Sequence, residues 1–138
     1  MSESADRAMP DTTSWSVPFA PCAVQATRAD VADMLLRRSM PQHVVDDTCV
    51  VVSELLGNAV QHARPIPGGG LIVRIEIADE TVTVSVVDGG SPTLPTLLHG
   101  PDLSPRGRGL AIVRKLTKEW GVREAPAGNT VFGVLAVV

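Results

Sequence analysis

The chain of 138 residues has the length of one domain, and its hydrophobic content of 44% is enough to form a core. A net charge of −3 and an aromatic content of 3% argue against nucleic acid as the main ligand, because nucleic-acid-binding proteins present basic patches and stacking rings. Cys22 and Cys49 form no CxxC pair, and no apolar run reaches the ~20 residues of a membrane span. We therefore expect a cytoplasmic protein without a signal peptide, a membrane contact or a structural zinc.

The N-terminal half of the chain predicts one strand followed by two helices. Residues 1–13 are polar and are interpreted as a disordered tail that precedes a domain of residues 14–138. The segment 14–20, SWSVPFA, predicts an edge strand, because Pro18 cannot donate a hydrogen bond to a neighbouring strand. Apolar residues at helical spacing predict a helix over 23–39 and a longer one from about residue 42 to 63.

The C-terminal half predicts four strands and one helix. Alternating Val and Ile residues over 71–88 predict a hairpin, and the Gly- and Pro-rich segment 89–109 predicts a long functional loop. A helix is predicted over 110–120, followed by strands over 121–126 and 129–138. This order predicts an α+β two-layer sandwich, in which a mixed sheet carries the helices on one face.

The motif ELLGNAVQHA places Glu54, Asn58 and His62 at intervals of four in the second helix. At about 100° per residue, Asn58 lies about 40° and His62 about 80° from Glu54, with an apolar arc roughly opposite. One explanation of this spacing is that the three residues form the solvent-exposed face of an amphipathic helix. The functional alternative is a carboxylate that orients a nucleophile beside an amide oxygen that binds Mg²⁺.

Three further motifs follow the hairpin. Asp88 ends a strand in VVDGGSP, where a carboxylate can accept the exocyclic amine of a base, although Asp-Gly turns are common. Gly107 and Gly109 precede an apolar helix in RGRGLAIV, and the free N–H groups at a helix N-terminus bind phosphate. Thr130 begins a strand in GNTVFGVL. Each of these motifs alone is weak evidence.

In their order and spacing the four motifs resemble those of the GHKL ATPase superfamily, which includes gyrase, the Hsp90 chaperones, MutL and the histidine kinases. ELLGNAVQHA corresponds to the N-box, DGGSP to the first glycine box and GRGLAIV to the second. In its small size and in the sequence VVSELLGNAVQHA, the chain is most similar to the anti-sigma-factor serine/threonine kinases of the SpoIIAB/RsbW type. The resemblance covers about residues 14–138 and implies a Bergerat-type ATP-binding fold that uses ATP and Mg²⁺.

The resemblance also implies a role for each matching residue. Glu54 would polarise the attacking hydroxyl or water, Asn58 would coordinate Mg²⁺, and Asp88 would accept the adenine amine. Arg28 in the first helix would contact a sigma factor, with an ordinary solvated arginine as the alternative, and His62 would make a structural hydrogen bond near the pocket rim. The nucleotide-binding residues would be Asn58, Asp88, Gly90, Arg106, Gly107, Arg108, Gly109, Leu110 and Thr130.

By the same resemblance, the protein would sequester a sigma factor and phosphorylate an anti-anti-sigma (STAS-type) partner on Ser or Thr. It would be a homodimer, with Trp15 and Phe19 at the interface unless these rings cap the core of the monomer. The alternative function is a binding module without kinase activity. That alternative is favoured by Pro92, which replaces the last glycine of the first glycine box, and by four prolines in the expected lid, 92–105.

Overall fold

The computed structural model describes residues 11–90 and 105–138, including side chains except at 105–109. The elements are β1 Asp11–Val17, α1 Cys22–Arg37, α2 Gln42–His62, β2 Leu71–Ile77, β3 Thr81–Val87, α3 Pro105–Leu116, β4 Glu119–Ala125 and β5 Gly128–Ala136. They follow the predicted order, and the α+β class is confirmed.

The five strands form one sheet in the order β1-β2-β3-β5-β4, and β1 is an edge strand as predicted. All four pairings are antiparallel, so the expectation of a mixed sheet is wrong for the described strands. Two hairpins, β2–β3 and β4–β5, meet along β3 and β5. Side-chain alternation indicates a strand but not its direction, because both kinds of pairing place alternate residues on one face.

The predicted bounds of β1 and α3 are also wrong. Residues 11–13, assigned to the tail, belong to β1 and pair with residues 75–77 of β2. Helix α3 begins at Pro105 and ends at Leu116, whereas the prediction was 110–120. Proline suits the first position of a helix, while the glycines that follow it disfavour one, so the helix start was predicted too late.

The core lies between the helices and one face of the sheet. The helix-facing side chains of β2 and β3 are fully buried, and α2 packs against α1, α3 and the sheet. Burying each of these aliphatic side chains stabilises the fold by about 1.5–3 kcal/mol. The buried sheet residues are Leu71, Val73, Ile75, Val82, Val84 and Val86.

The two rings considered for a dimer interface pack against this same core. Trp15 and Phe19 are both partly buried beside the core of the single chain, and their part in a homodimer stays a prediction. Cys22 is exposed and Cys49 is buried, and neither forms a disulfide. Within the described ranges, no helix combines the length and apolar character needed to cross a membrane.

Candidate functional site

Glu54, Asn58 and His62 lie at the edge of the buried side of α2 rather than on its exposed centre. All three are half-buried. The buried side is wider than predicted, because fully buried Val51 lies only about 60° from Glu54 around the helix. His62 has an interaction partner.

This edge of α2 faces the C-terminal part of the fold. A Cβ placed on Gly133 of β5 would lie 3.5 Å from Cγ1 of Val51 and 3.0 Å from Cγ2 of Thr117, which directly follows α3. Val51 therefore marks the side of α2 that adjoins α3, and Glu54 and Asn58 are its polar neighbours. The polar stripe therefore lies on the side of α2 that adjoins α3, which the spacing of the residues did not reveal.

Asp88 is a buried carboxyl at the end of β3, with 3% of its surface exposed. Its Oδ1 accepts a hydrogen bond of 2.6 Å from the backbone N–H of Gly90. Burial raises the pKa of the Asp88 carboxyl, and the backbone N–H groups of Gly90 and Asn129 partly oppose that rise. A carboxylate has about four acceptor positions, so Asp88 keeps capacity for a ligand donor.

The loop after Asp88 is tied to the segment that follows α2. The N–H of Gly89 donates to the carbonyl of Arg64 at 2.7 Å, and the N–H of Arg64 donates to the carbonyl of Gly90 at 2.9 Å. A Cβ on Gly89 would overlap the carbonyl oxygen of Pro65, so only glycine permits this approach. Gly90 has a φ of 107°. Backbone hydrogen bonds thus connect the loop after Asp88 to the chain directly after the ELLGNAVQHA motif.

Asn129 shares a sheet face with Asp88, and Thr130 does not. The N–H of Asp88 donates to the carbonyl of Asn129 at 2.9 Å, and the N–H of Asn129 donates back at 3.2 Å. Thr130 pairs with Val87, and alternation places that pair on the opposite face. Asn129 is 8% exposed. The structure therefore separates Thr130 from Asp88 and adds a buried amide that the sequence analysis missed.

A signal for Asn129 was present in the sequence. Successive side chains of β5 alternate between the two faces of the sheet. Asn129 lies on the same face as the β5 residues that pair with the helix-facing residues of β3. Gly128 supports the same arrangement, because a Cβ there would overlap the carbonyl oxygen of Asp88. The residues of β5 in this phase are Asn129, Val131, Gly133 and Leu135.

Residues 106–109 lie inside the first turns of α3 rather than in front of it. The first N–H groups of a helix have no acceptor within the helix, and they attract anions together with the helix dipole. The second glycine motif therefore supplies the helix N-terminus itself. Leu110, which follows, is 7% exposed and anchors the helix in the fold. Pro92 and the expected lid up to residue 104 lie outside the described residues.

Asn58 remains the candidate ligand for Mg²⁺. In residues 11–90 and the described part of 105–138, no three His, Cys, Asp or Glu side chains gather into a metal-binding group. Mg²⁺ at nucleotide sites takes one or two protein oxygens together with phosphate oxygens and water. The amide oxygen of Asn58 fits that requirement.

The fold is an antiparallel α+β sandwich with a buried carboxyl at the end of β3 and a half-buried polar edge on α2. The chain belongs to the histidine kinase-like ATPase domain family, whose model matches residues 17–132. No curated protein sequence gives a significant match.

Several solved structures have similar folds, and two of them illustrate the likeness. One contains the RsbU and RsbW domains of Rv1364c from Mycobacterium tuberculosis, with a TM-score of 0.69 and 22% identity, covering 91% of this chain and 33% of that chain. The other is the SiaB–SiaC complex from Pseudomonas aeruginosa, with a TM-score of 0.63 and 16% identity, covering 98% of this chain and 95% of that chain. The present chain thus spans about a third of the mycobacterial chain, and at these identities the likeness shows the fold.

Proposed function

We propose that this protein is an anti-sigma factor and an ATP-dependent serine/threonine kinase, which sequesters a sigma factor and phosphorylates an anti-anti-sigma partner of the STAS type. The observation that carries the nucleotide part is the Asp88 carboxyl, which is buried and held by backbone donors. Such a group accepts a hydrogen bond from the exocyclic amine of adenine. Guanine presents a carbonyl oxygen at that position, so the site favours ATP over GTP.

The adenine end is completed by Asn129. Its side chain lies on the same sheet face as Asp88, and the two backbones are joined by two hydrogen bonds. In this proposal the Asn129 amide donates to the ring nitrogen next to the adenine amine. An amide and a carboxylate side by side then recognise a donor and an acceptor on one edge of the base.

The phosphate end lies along α2 and at the start of α3. Asn58 would hold Mg²⁺ through its amide oxygen, and the backbone N–H groups of residues 106–108 would bind phosphate oxygens. When bound, the metal would neutralise phosphate charge. Glu54 accepts the proton of the partner's Ser or Thr hydroxyl while the hydroxyl oxygen bonds to the γ-phosphorus and ADP departs with the electrons of the broken bond.

The partner part of the proposal rests on the family and on what the similar structures contain. One of them includes an RsbW domain, and the other is a complex of two proteins. Arg28 as a sigma-factor contact and the homodimer belong to this proposal. Light scattering at micromolar concentration tests the dimer, and the mass of a single 14.5 kDa chain would refute it.

The decisive experiment is transfer of label from γ-labelled ATP to a purified anti-anti-sigma protein. We expect label on a Ser or Thr of the partner, dependence on Mg²⁺ and a preference for ATP over GTP. The second candidate function, a binding module without kinase activity, is favoured by Pro92 and the prolines of 92–105. Capture of a partner without transfer of label would select this second function.

A further inference from the structure

The segment of residues 64–70, which we call the connector, joins the end of α2 to the start of β2 and lies against the loop that follows β3. The N–H of Arg64 donates to the carbonyl of Gly90, and its carbonyl accepts from the N–H of Gly89. The N–H of Gly90 also donates to the Asp88 carboxyl. The connector is therefore bonded to the same short backbone that holds the carboxyl at the adenine end.

The far end of the connector is a closed turn. The N–H of Gly69 donates to the carbonyl of Ile66 at 2.8 Å, and the N–H of Ile66 donates to the carbonyl of Gly70 at 2.9 Å. Pro67 and Gly68 occupy the two central positions, and Gly68 has a φ of 95°, which is the pattern of a type II turn. The two ends of the turn are thus fixed to each other, so the connector is a compact unit rather than a slack loop.

This turn lies directly against the edge strand. A Cβ on Gly70 would be 2.7 Å from the carbonyl oxygen of Val17, a distance at which one of the two groups must move. Val17 ends β1, is 8% exposed and pairs with Leu71, the first residue of β2. The Asp88 loop is therefore held from two sides, by Asn129 of β5 and by the connector at the junction of β1 and β2.

We propose that the connector is a positioning element for adenine recognition, which keeps the Asp88 carboxyl in place from the β2 side and is anchored by the contact between Gly70 and the Val17 carbonyl. A displacement at Gly70 moves the backbone of Arg64 and with it the N–H groups that hold the carboxyl. The connector acts through Asp88 and does not itself bind the base. This inference rests on the nucleotide part of the proposed function.

The test compares alanine substitutions at two glycines of the same turn. Gly70 and Gly68 have φ values of 78° and 95°, so alanine is strained at both positions. Only the Cβ on Gly70 meets another atom, because nothing lies within 4 Å of a Cβ on Gly68. Each substitution is combined with Asp88→Asn in a double-mutant cycle, in which calorimetry measures the affinity for ATP. Denaturant titration verifies that each variant is folded.

We expect Gly70→Ala to weaken ATP binding by about tenfold and Gly68→Ala by less than about threefold. Asp88→Asn should reduce the affinity at least about fivefold less in the Gly70→Ala background than in the wild type, because a displaced carboxyl has already lost its contact with the base. If the connector stabilised the fold only, the two losses would multiply, since independent sites do not interact in such a cycle.

Hydrogen exchange of single amides gives a second measurement that needs no nucleotide. In Gly70→Ala the N–H groups of Gly89 and Gly90 should exchange about tenfold faster than in the wild type, because the bonds that protect them open more often. In Gly68→Ala they should stay within about threefold. The N–H of Ala78 is the internal control, because it closes the turn at the other end of β2, about 20 Å away.

If Gly70→Ala does not fold, exchange in the wild type replaces the variant. Addition of ATP should slow the exchange of Arg64, Ile66 and Gly90 together by about tenfold and leave Ala78 unchanged. Protection of Gly90 without Arg64 and Ile66 would overturn the proposal, because the connector would then not respond to the occupied site.

Two further outcomes would overturn the proposal. One is a cycle in which the losses from Gly70→Ala and Asp88→Asn multiply. The other is an equal effect of Gly70→Ala and Gly68→Ala on affinity and exchange, because backbone strain alone would then explain both. A wild type that binds no ATP would refute the nucleotide part of the proposed function, and the exchange of Gly90 in Gly70→Ala would then decide whether the connector holds Asp88.

Discussion

The two ends of the candidate nucleotide site are built differently. At the adenine end, Asp88 and Asn129 lie on paired strand ends, both are buried, and their backbones are joined by two hydrogen bonds. At the phosphate end, Glu54 and Asn58 are half-buried side chains on the edge of one helix. Backbone contacts hold the first region, whereas side chains with rotational freedom form the second.

This difference suits the buried end to selection of the base and the half-buried end to phosphoryl transfer. A buried carboxyl can discriminate between bases because an unpaired polar group at that place costs about 1–3 kcal/mol. A half-buried carboxylate remains accessible to solvent and can meet a partner's hydroxyl. We therefore expect substitutions at the adenine end to change affinity or stability, and substitutions at Glu54 to change the rate of transfer.

The largest effect is expected for Glu54→Gln. The amide keeps the shape of the side chain but cannot accept the proton, so phosphoryl transfer should fall by about 10²–10⁴-fold. Nucleotide affinity should stay within a few-fold, and partner capture should persist. Transfer of label and calorimetry measure the two quantities. Asp47→Asn is the control, because Asp47 lies on a similar face of α2 but about 10 Å away along the axis.

Gly128→Ala tests how strictly the backbone holds the adenine end. The new methyl group would overlap the carbonyl oxygen of Asp88, so either β5 or the Asp88 loop must move. We expect the free energy of unfolding to fall by about 2–3 kcal/mol, which is within the range for strained backbone positions. Denaturant titration measures the change. A variant as stable as the wild type would show that this region is not tightly held.

Asp88→Asn should separate binding from folding. The variant can present an N–H where the adenine amine also donates, so ATP affinity should fall by about 5–150-fold, equivalent to about 1–3 kcal/mol. The preference for ATP over GTP should fall with it. Calorimetry with both nucleotides checks this prediction. Equal affinity of the wild type for ATP and GTP would contradict the role assigned to the carboxyl.

The same carboxyl predicts a pH dependence of stability. Its pKa is raised in the folded protein, so the folded state holds this proton more tightly than the unfolded chain does. The resulting stabilisation is complete below the unfolded pKa of about 4 and is lost as the pH rises through the folded pKa. The unfolding free energy of the wild type should therefore fall relative to Asp88→Asn over that interval. A difference that stays constant with pH would contradict burial as the cause.

The smallest effect is expected for Gly57→Ala, which lies between Glu54 and Asn58 in sequence. A Cβ at this position meets no atom within 4 Å, and alanine in a helix is more favourable than glycine by about 0.5–1 kcal/mol. The variant should therefore be more stable by that amount, with unchanged transfer of label. Thermal unfolding measures the gain. A loss of activity would show that the open side of α2 also takes part in function.

Much of this molecule could be predicted from the sequence. The periods of apolar residues give the identity and order of every element, because helices and strands bury one face with different spacing. The motifs around Glu54, Asn58 and Asp88 led to the family that the comparison confirmed. The roles assigned to those residues stay predictions.

Other features followed only from the tertiary structure. The antiparallel direction of the strands, the burial of Asp88 and the pairing of Asp88 with Asn129 depend on which strands become neighbours. Thr130 was chosen from its position in a motif, but the register turns it to the opposite face. A groove lined by Ala29 of α1 and by Val45 and Cys49 of α2 likewise forms only where these two helices meet. A sequence determines local period and chemistry, whereas a site formed by distant segments depends on their packing, since one residue of register reverses the face on which a side chain lies.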